Sequence, residues 1–272
     1  MADITAKDVM ALRQKTGCGM MECKKALAES NGDMEGAIEY LRKVGMAKAQ
    51  KRADRSANNG KWAFAKKGNV CVLVEGLCET DFVANTPEFK KLVQAAADKA
   101  LAYAEDGDIA AKVAADNDVE LKAIIAAIGE NMRFRRAIRW VAAEGAQIGC
   151  YVHTAQPFVA MVEVAGECDD ALLNNITLHI TASNPTYICR EDVPAEVIAK
   201  ETEIAKADPK LAGKPEKVLA GAIAGKLAKV YKESCLMEMP WIDDEHTCLA
   251  KVAPKVKIVR FIRWMAGEEI AE

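Results

Sequence analysis

Two stretches, VLVEGLCETD at residues 72–81 and AMVEVAGECD at 160–169, decide the fold. Each is an apolar run of strand type that ends in an acidic turn, and the two stand 88 residues apart, Asp81 against Asp169. Trp62 and Tyr151 precede them at similar places. Farther on, RAIRWVAAE starting at Arg136 and RFIRWMAGE starting at Arg260 form a second pair, offset by 124. Each copy therefore reads as a hairpin, a helical stretch, and a third strand carrying Ile-Arg-Trp. The predicted fold class is α+β, with a duplicated core of two small antiparallel sheets covered by helices. The difference between the offsets makes the second copy 36 residues longer, and the extra length falls in residues 191–233.

Outward from this core, residues 1–55 read as a small module of three helices. Thr5 caps the first with Asp8 three residues on, and Ile4 and Val9 suit a hydrophobic staple. Thr16-Gly17-Cys18-Gly19 breaks it. A second helix runs from Met20 to Ala28 and ends at Ser30-Asn31-Gly32. Asp33 caps a third, with Ala37, Ile38 and Leu41 on one face. The basic stretch after it (Lys48, Lys51, Arg52, Arg55) reads either as a solvated linker helix or as an RNA-contacting patch. Lys61 to Phe64, a Lys66-Lys67-Gly68-Asn69 turn and Val70 to Val74 predict a β-hairpin. Thr86 and Pro87 then open a helix with Phe89, Leu92, Val93, Ala96 and Ala100 along one side. In the insert, Val193, Val197, Ile204 and Ala205 form one stripe, and Leu219, Ile223, Leu227 and Val230 another. Breaks at Asp208-Pro209 and Gly213-Lys214-Pro215 separate them, so a helical hairpin is expected that either self-associates or packs on the core. The expected division is 1–55 helical module, 56–147 first core subdomain, 148–190 with 234–272 second core subdomain, and 191–233 inserted hairpin.

Composition narrows the function. The chain has 272 residues, 51% apolar, with 37 basic against 40 acidic side chains. A net charge of −3 argues against a general nucleic-acid binder, which relies on many Lys and Arg contacts to phosphate. Nine scattered cysteines with no C-x-x-C pair fit a reduced compartment. With no apolar leader after MADITAKDVMALRQ and no membrane-length apolar run, a soluble cytoplasmic protein is expected. Phosphate-loop, dinucleotide, zinc-protease and nucleophile-elbow motifs are missing. Cys150 and His153 have a C-x-x-H spacing, but an odd separation on a strand points them to opposite faces. His179 reads as a packed helix residue. No catalytic residue, cofactor or metal ligand is expected. The remaining feature is the turn Glu79-Thr80-Asp81-Phe82-Val83-Ala84-Asn85, where Phe82 either tucks into the core or stands out as an anchor for a partner's pocket.

These residues resemble a known family. LRQKTGCGMMECKKAL (12–27) and EGLCETDFVAN (75–85) are similar to the two signature stretches of bacterial translation elongation factor Ts, and IGEN (128–131), YVH (151–153) and GKPEKV (213–218) follow in order. The resemblance spans essentially the whole chain. It implies a ubiquitin-associated-like N-terminal module, a two-part core and a helical hairpin often used for dimerisation. It also implies a non-catalytic guanine-nucleotide exchange factor in protein biosynthesis that binds elongation factor Tu carrying GDP and promotes release of the GDP. Carried over, Thr80, Asp81, Phe82 and Val83 intrude near the partner's Mg²⁺ site, Ile128 and His153 face its third domain, and Met20 and Met21 touch its nucleotide-binding domain. A homodimer, or a 2:2 complex with the partner, is the implied assembly, with no direct contact to nucleic acid or membrane. Two departures stand out. The chain stops at Glu272, soon after the Ile-Arg-Trp strand, where some relatives continue into a C-terminal helix, so that contact is expected to be reduced. Met239-Pro240-Trp241 stands where Gln-Pro-Phe is more usual.

Overall fold

The computed structural model describes residues 4–208 and 214–270 of an α+β fold, and they fall into two compact units. The first comprises the chain up to residue 141 with 154–157 and the stretch from 265 on, the second 142–153 and 158–264.

The first unit begins with helices α1 (Ala6–Thr16), α2 (Met20–Glu29) and α3 (Met34–Arg52). Thr5 caps α1 in a reciprocal box with Asp8, and Gly17 ends it in the left-handed region at φ 69°. Val9, Leu12, Cys23, Ala26, Leu27, Ala37 and Leu41 close a small apolar core between the three. Of the basic stretch, Lys48, Lys51 and Arg52 form the last part of α3, which packs along a later helix, and Arg55 lies just past it. Arg52 donates to the Ile125 carbonyl at 3.3 Å and Lys48 pairs with Glu22, while Lys51 and Arg55 stay exposed. Two strands follow, β1 (Asn59–Lys67) and β2 (Val70–Cys78). Lys67 pairs with Val70, so the turn is only Gly68-Asn69, with Gly68 at φ 59°, and the strands are longer than a four-residue turn would allow.

After the short helix α4 (Asp81–Ala84) comes α5 (Pro87–Ala100), capped by Thr86 and burying Phe89, Leu92, Val93, Ala96 and Ala100. It lies close over β2. A Cβ at Gly76 would meet Val93 at 2.4 Å, so only glycine permits this approach. The following stretch holds β3 (Gly107–Asp108), α6 (Ala110–Asp116) and α7 (Asp118–Ile128) before β4 (Met132–Val141). The sheet runs β1-β2-β4-β3, each neighbouring pair antiparallel. Helix α7 is the element on which α3 rests, with Gly45 so near Ala126 that a Cβ would come to 2.7 Å.

One irregularity organises this sheet. Between the pairs Val74–Ala137 and Gly76–Phe134 the register shifts, so Glu75 on β2 faces two residues of β4, Arg135 and Arg136. A regular strand would send neighbouring side chains to opposite faces, and the bulge brings both to the same carboxylate. Glu75 is fully buried and accepts five hydrogen bonds: two from each guanidinium at 2.8–3.0 Å and one from the Gly267 amide at 3.0 Å.

The second unit holds β5 (Ala146–Val152), β6 (Phe158–Gly166), α8 (Asp170–Ser183), α9 (Ala195–Lys206), α10 (Glu216–Ser234), β7 (Pro240–Trp241), β8 (Asp244–Cys248), α11 (Leu249–Val252) and β9 (Val256–Met265). Its main sheet is β5-β6-β9, with α8 against β5 and β6. The repeat extends to chemistry. Glu163, the counterpart of Glu75, is buried and accepts from Arg260 at 2.7 Å, as Glu75 does from Arg136. It also takes the Ala143 amide at 2.9 Å, the counterpart of Gly267. Each repeat's Ile-Arg-Trp strand thus runs on into a segment that caps the buried glutamate of the other repeat.

His179 is fully buried in α8, 3.1 Å from the Ser183 hydroxyl at Nδ1 and tilted against Trp241 with ring centroids 4.9 Å apart. The tryptophan of Met239-Pro240-Trp241 is thereby absorbed into the core. Helices α9 and α10 pack on each other, but α10 has no fully buried residue, and Ile204 and Val218 stay exposed. Val193 lies ahead of α9 and is buried, and the expected breaks at Pro209 and Gly213 lie outside the described residues.

Candidate functional site

The turn between β2 and α5 is braced from two sides. The β2–β4 ladder ends at the pair Cys78–Met132. Beyond it, two carboxylates continue the cross-bracing. Glu79 accepts from the Asn131 amide at 2.6 Å, and Glu130 accepts from the Thr80 amide at 3.1 Å and the Thr80 hydroxyl at 2.7 Å. The Asn59 side chain donates to the Glu79 carbonyl at 2.8 Å. Asn131 is itself buried and donates to the Ala53 and Arg55 carbonyls.

Thr80 then caps α4, its hydroxyl oxygen accepting from the Val83 amide at 3.3 Å. With the start of this one-turn helix set, its side chains sort by direction. Val83 and Ala84 enter the core, while Asp81 and Phe82 face outward. Phe82 is 82% exposed, the most exposed large apolar residue described. Of the two readings open from sequence, the tucked one is excluded for the free chain. The cost of holding an aromatic ring in water is about 1.5–3 kcal/mol relative to burying it.

The other residues named from the sequence fall in different places. Met20 and Met21 begin α2 and are 51% and 76% exposed. Beside Met20, a groove of about 260 Å³ is lined also by Met10, Arg13 and Gln14. Sequence reasoning does not single out Met10, whose only signal is that it sits off the apolar stripe of α1. Ile128 ends α7, half-buried against the first unit's core, and Gly129 at φ 93° turns the chain back toward Thr80. Glu130, inside IGEN, carries no individual signal in sequence either. His153 belongs to the second unit, half-buried just past β5, its amide donating to the Phe158 carbonyl at 3.0 Å and its ring edge-on to Tyr151.

Cys78, the thiol beside the turn, is held in its unreactive form. Burial, reinforced by the charges of Glu130 and Asp81, pushes the Cys78 thiol up to about 12, so it stays protonated at neutral pH. Its Sγ donates to the Thr80 carbonyl at 3.1 Å. All nine cysteines are free thiols. Among the described residues no three His, Cys, Asp or Glu side chains gather as a metal site, and no helix is long and apolar enough to cross a membrane. What the geometry presents is a rigid corner carrying an apolar ring beside an acid, suited to entering a pocket on another protein.

Comparisons with known proteins identify relatives of the chain. The family model described as Elongation factor TS matches residues 79–268. Elongation factor Ts of Teredinibacter turnerae is 40% identical over 275 residues, covering 98% of this chain and 92% of the relative. Elongation factor Ts of Xanthomonas oryzae pv. oryzae is 41% identical over 277 residues, covering 98% and 94%. That of Xanthomonas axonopodis pv. citri is 40% identical with the same coverage.

Proposed function

Because this chain belongs to the elongation factor Ts family, we propose that it is a guanine-nucleotide exchange factor for elongation factor Tu in translation elongation. It binds the GDP-loaded partner, displaces Mg²⁺ and promotes release of GDP so that GTP can enter. It does so with no catalytic side chain of its own. The observation that carries this reading is Phe82, 82% exposed on a corner whose backbone is braced from both sides.

An exchange factor makes and breaks no covalent bond. It binds the nucleotide-free partner better than the loaded one, and the same coupling free energy acts in both directions. A nanomolar nucleotide complex is worth about −12 kcal/mol. Weakening it about 10⁴-fold needs roughly 5.5 kcal/mol of differential binding. Burying one phenylalanine contributes about 1.5–3 kcal/mol. Phe82 therefore acts with Thr80 and Asp81 in displacing the metal that helps hold the phosphates. Val83 serves from beneath, as the core residue that seats the turn. Met20 and Met21 dock on the partner's nucleotide-binding domain, and Ile128 and His153 on its third domain. In this reading the chain divides into a helical module at 1–55, core subdomains at 56–147 and at 148–190 with 234–272, and a hairpin at 191–233 that contributes to self-association.

The test is direct. Elongation factor Tu loaded with fluorescent GDP is mixed with excess unlabelled GDP, with and without this chain. Release accelerated at substoichiometric amounts supports exchange; an unchanged rate rejects it.

A further inference from the structure

We propose that Glu130 is a positioning residue for exchange, a clamp that holds the Phe82 anchor in its docking geometry before any partner arrives. The inference rests on the exchange reading and assigns the residue that makes its anchor effective. Glu130 and Thr80 are 50 residues apart in sequence, with α5, α6 and α7 between them. The two carboxylate oxygens of Glu130 nevertheless take separate donors of Thr80: the amide on one at 3.1 Å and the hydroxyl on the other at 2.7 Å.

That arrangement constrains more than one bond. By donating its proton to Glu130, the Thr80 hydroxyl leaves its lone pairs for the Val83 amide, which sets the first turn of α4. The orientation of α4 decides that Val83 is buried and Phe82 exposed. Gly129, in the left-handed region at φ 93°, is what lets Glu130 return to the turn directly after α7. Asn131 fixes the same segment from the other side, its amide on Glu79 and its side chain on the Ala53 and Arg55 carbonyls. Without the clamp, the outward ring would gain by swinging onto nearby apolar surface, and docking would first have to reorder the turn. Preorganisation raises affinity by removing such an ordering cost.

The expected signature is a shift in half-saturation. Hydrogen bonds to a charged acceptor place the effect of Glu130→Ala at about tenfold. In the fluorescent-GDP assay the factor concentration for half-maximal stimulation should rise by about that much, while the maximal rate stays within about twofold because the docked geometry is the same. Glu130→Gln keeps one acceptor and should recover most of the loss. In a Phe82→Ala background, Glu130→Ala should add clearly less than its effect alone, since much of what Glu130 does passes through the turn that carries the ring. Full additivity in this double-mutant cycle overturns the proposal and makes Glu130 an independent contact. A partner-free measurement separates this inference from the exchange reading: amide hydrogen exchange across residues 79–86 should speed up by about tenfold or more in Glu130→Ala, with the melting temperature little changed. Unchanged exchange in that segment overturns the clamp even if wild-type protein stimulates GDP release, and faster exchange supports it even if stimulation itself is absent.

Discussion

At the scale of single residues, two side chains break the usual rule of burial in opposite senses. Phe82 is apolar and exposed, and Glu75 is charged and fully buried. Replacing Phe82 with alanine should slow stimulated GDP release by more than about tenfold, the worth of one buried aromatic anchor. The melting temperature should barely move, because the exposed ring contributes little to the core and, in the proposed reading, serves the complex. A sharp fall in melting temperature would instead make it a structural residue. Glu75 carries the reverse expectation. Burial by itself raises a carboxyl's pKa, but the hydrogen bonds and charges of Arg135 and Arg136 outweigh it and hold Glu75 below its ordinary value of 4.5. A carboxylate with a depressed folded-state pKa adds stability above its unfolded value, and that stability is lost as pH falls through the folded one. Glu75→Gln should therefore cost about 3–5 kcal/mol at neutral pH, the range for breaking a buried ion pair from one side. The variant's stability should also fall less steeply than the wild type's as pH drops below 4.5, as chemical denaturation at several pH values would show.

At the scale of elements, the seam between α3 and α7 and the hairpin of α9 and α10 make contrasting predictions. The seam is tight at Gly45, where a Cβ would meet Ala126 at 2.7 Å. Gly45→Val forces the helices apart and should destabilise the protein by about 1–3 kcal/mol, the range for overpacking, measurable as a lower denaturation midpoint. The hairpin is loose by comparison, with no fully buried residue on α10 and with Ile204 and Val218 exposed. Leu219, Ile223, Leu227 and Val230 are only half-buried, and an apolar face covered in part in this way marks a protein–protein contact. Replacing residues 194–233 by a short Gly/Ser bridge keeps the buried Val193 and should reduce the mass seen by light scattering, with or without elongation factor Tu, while GDP release stays substantially stimulated. An unchanged mass would show that the hairpin is not an association element.

At the scale of the whole molecule, the proposed mechanism couples two binding events, so its readout depends on what the partner holds. If displacement of Mg²⁺ carries part of the coupling, a chelator that strips the metal should shrink the factor's advantage over spontaneous release. The same fold stimulation with and without Mg²⁺ would remove that part of the mechanism. Both repeats are built around one buried device. Glu75 with Arg136 and Glu163 with Arg260 form the same pairing, and the chain after each Ile-Arg-Trp strand supplies the amide, Gly267 or Ala143, that completes the other repeat's carboxylate.

Features that depend on local chemistry were legible from the sequence alone. Thr5 with Asp8, Asp33, and Thr86 with Pro87 mark helix starts because a cap needs only residues within one turn. The α+β class and the repeat followed from apolar periodicity and two fixed offsets, and the family from signature stretches at the right spacing. The strand ends, the continuation of α3 through its basic stretch, and the role of α7 were not legible in that way, because each depends on a partner far along the chain. The same holds for the corner. Glu79, Thr80, Glu130 and Asn131 are ordinary surface-type residues in sequence, the two pairs lying 50 and 52 positions apart, and only the β2–β4 pairing brings them together. Whether Phe82 faces the core or the solvent was therefore decided by tertiary structure: a one-turn helix has too few internal bonds to set its own direction, and long-range hydrogen bonds to Thr80 set it instead.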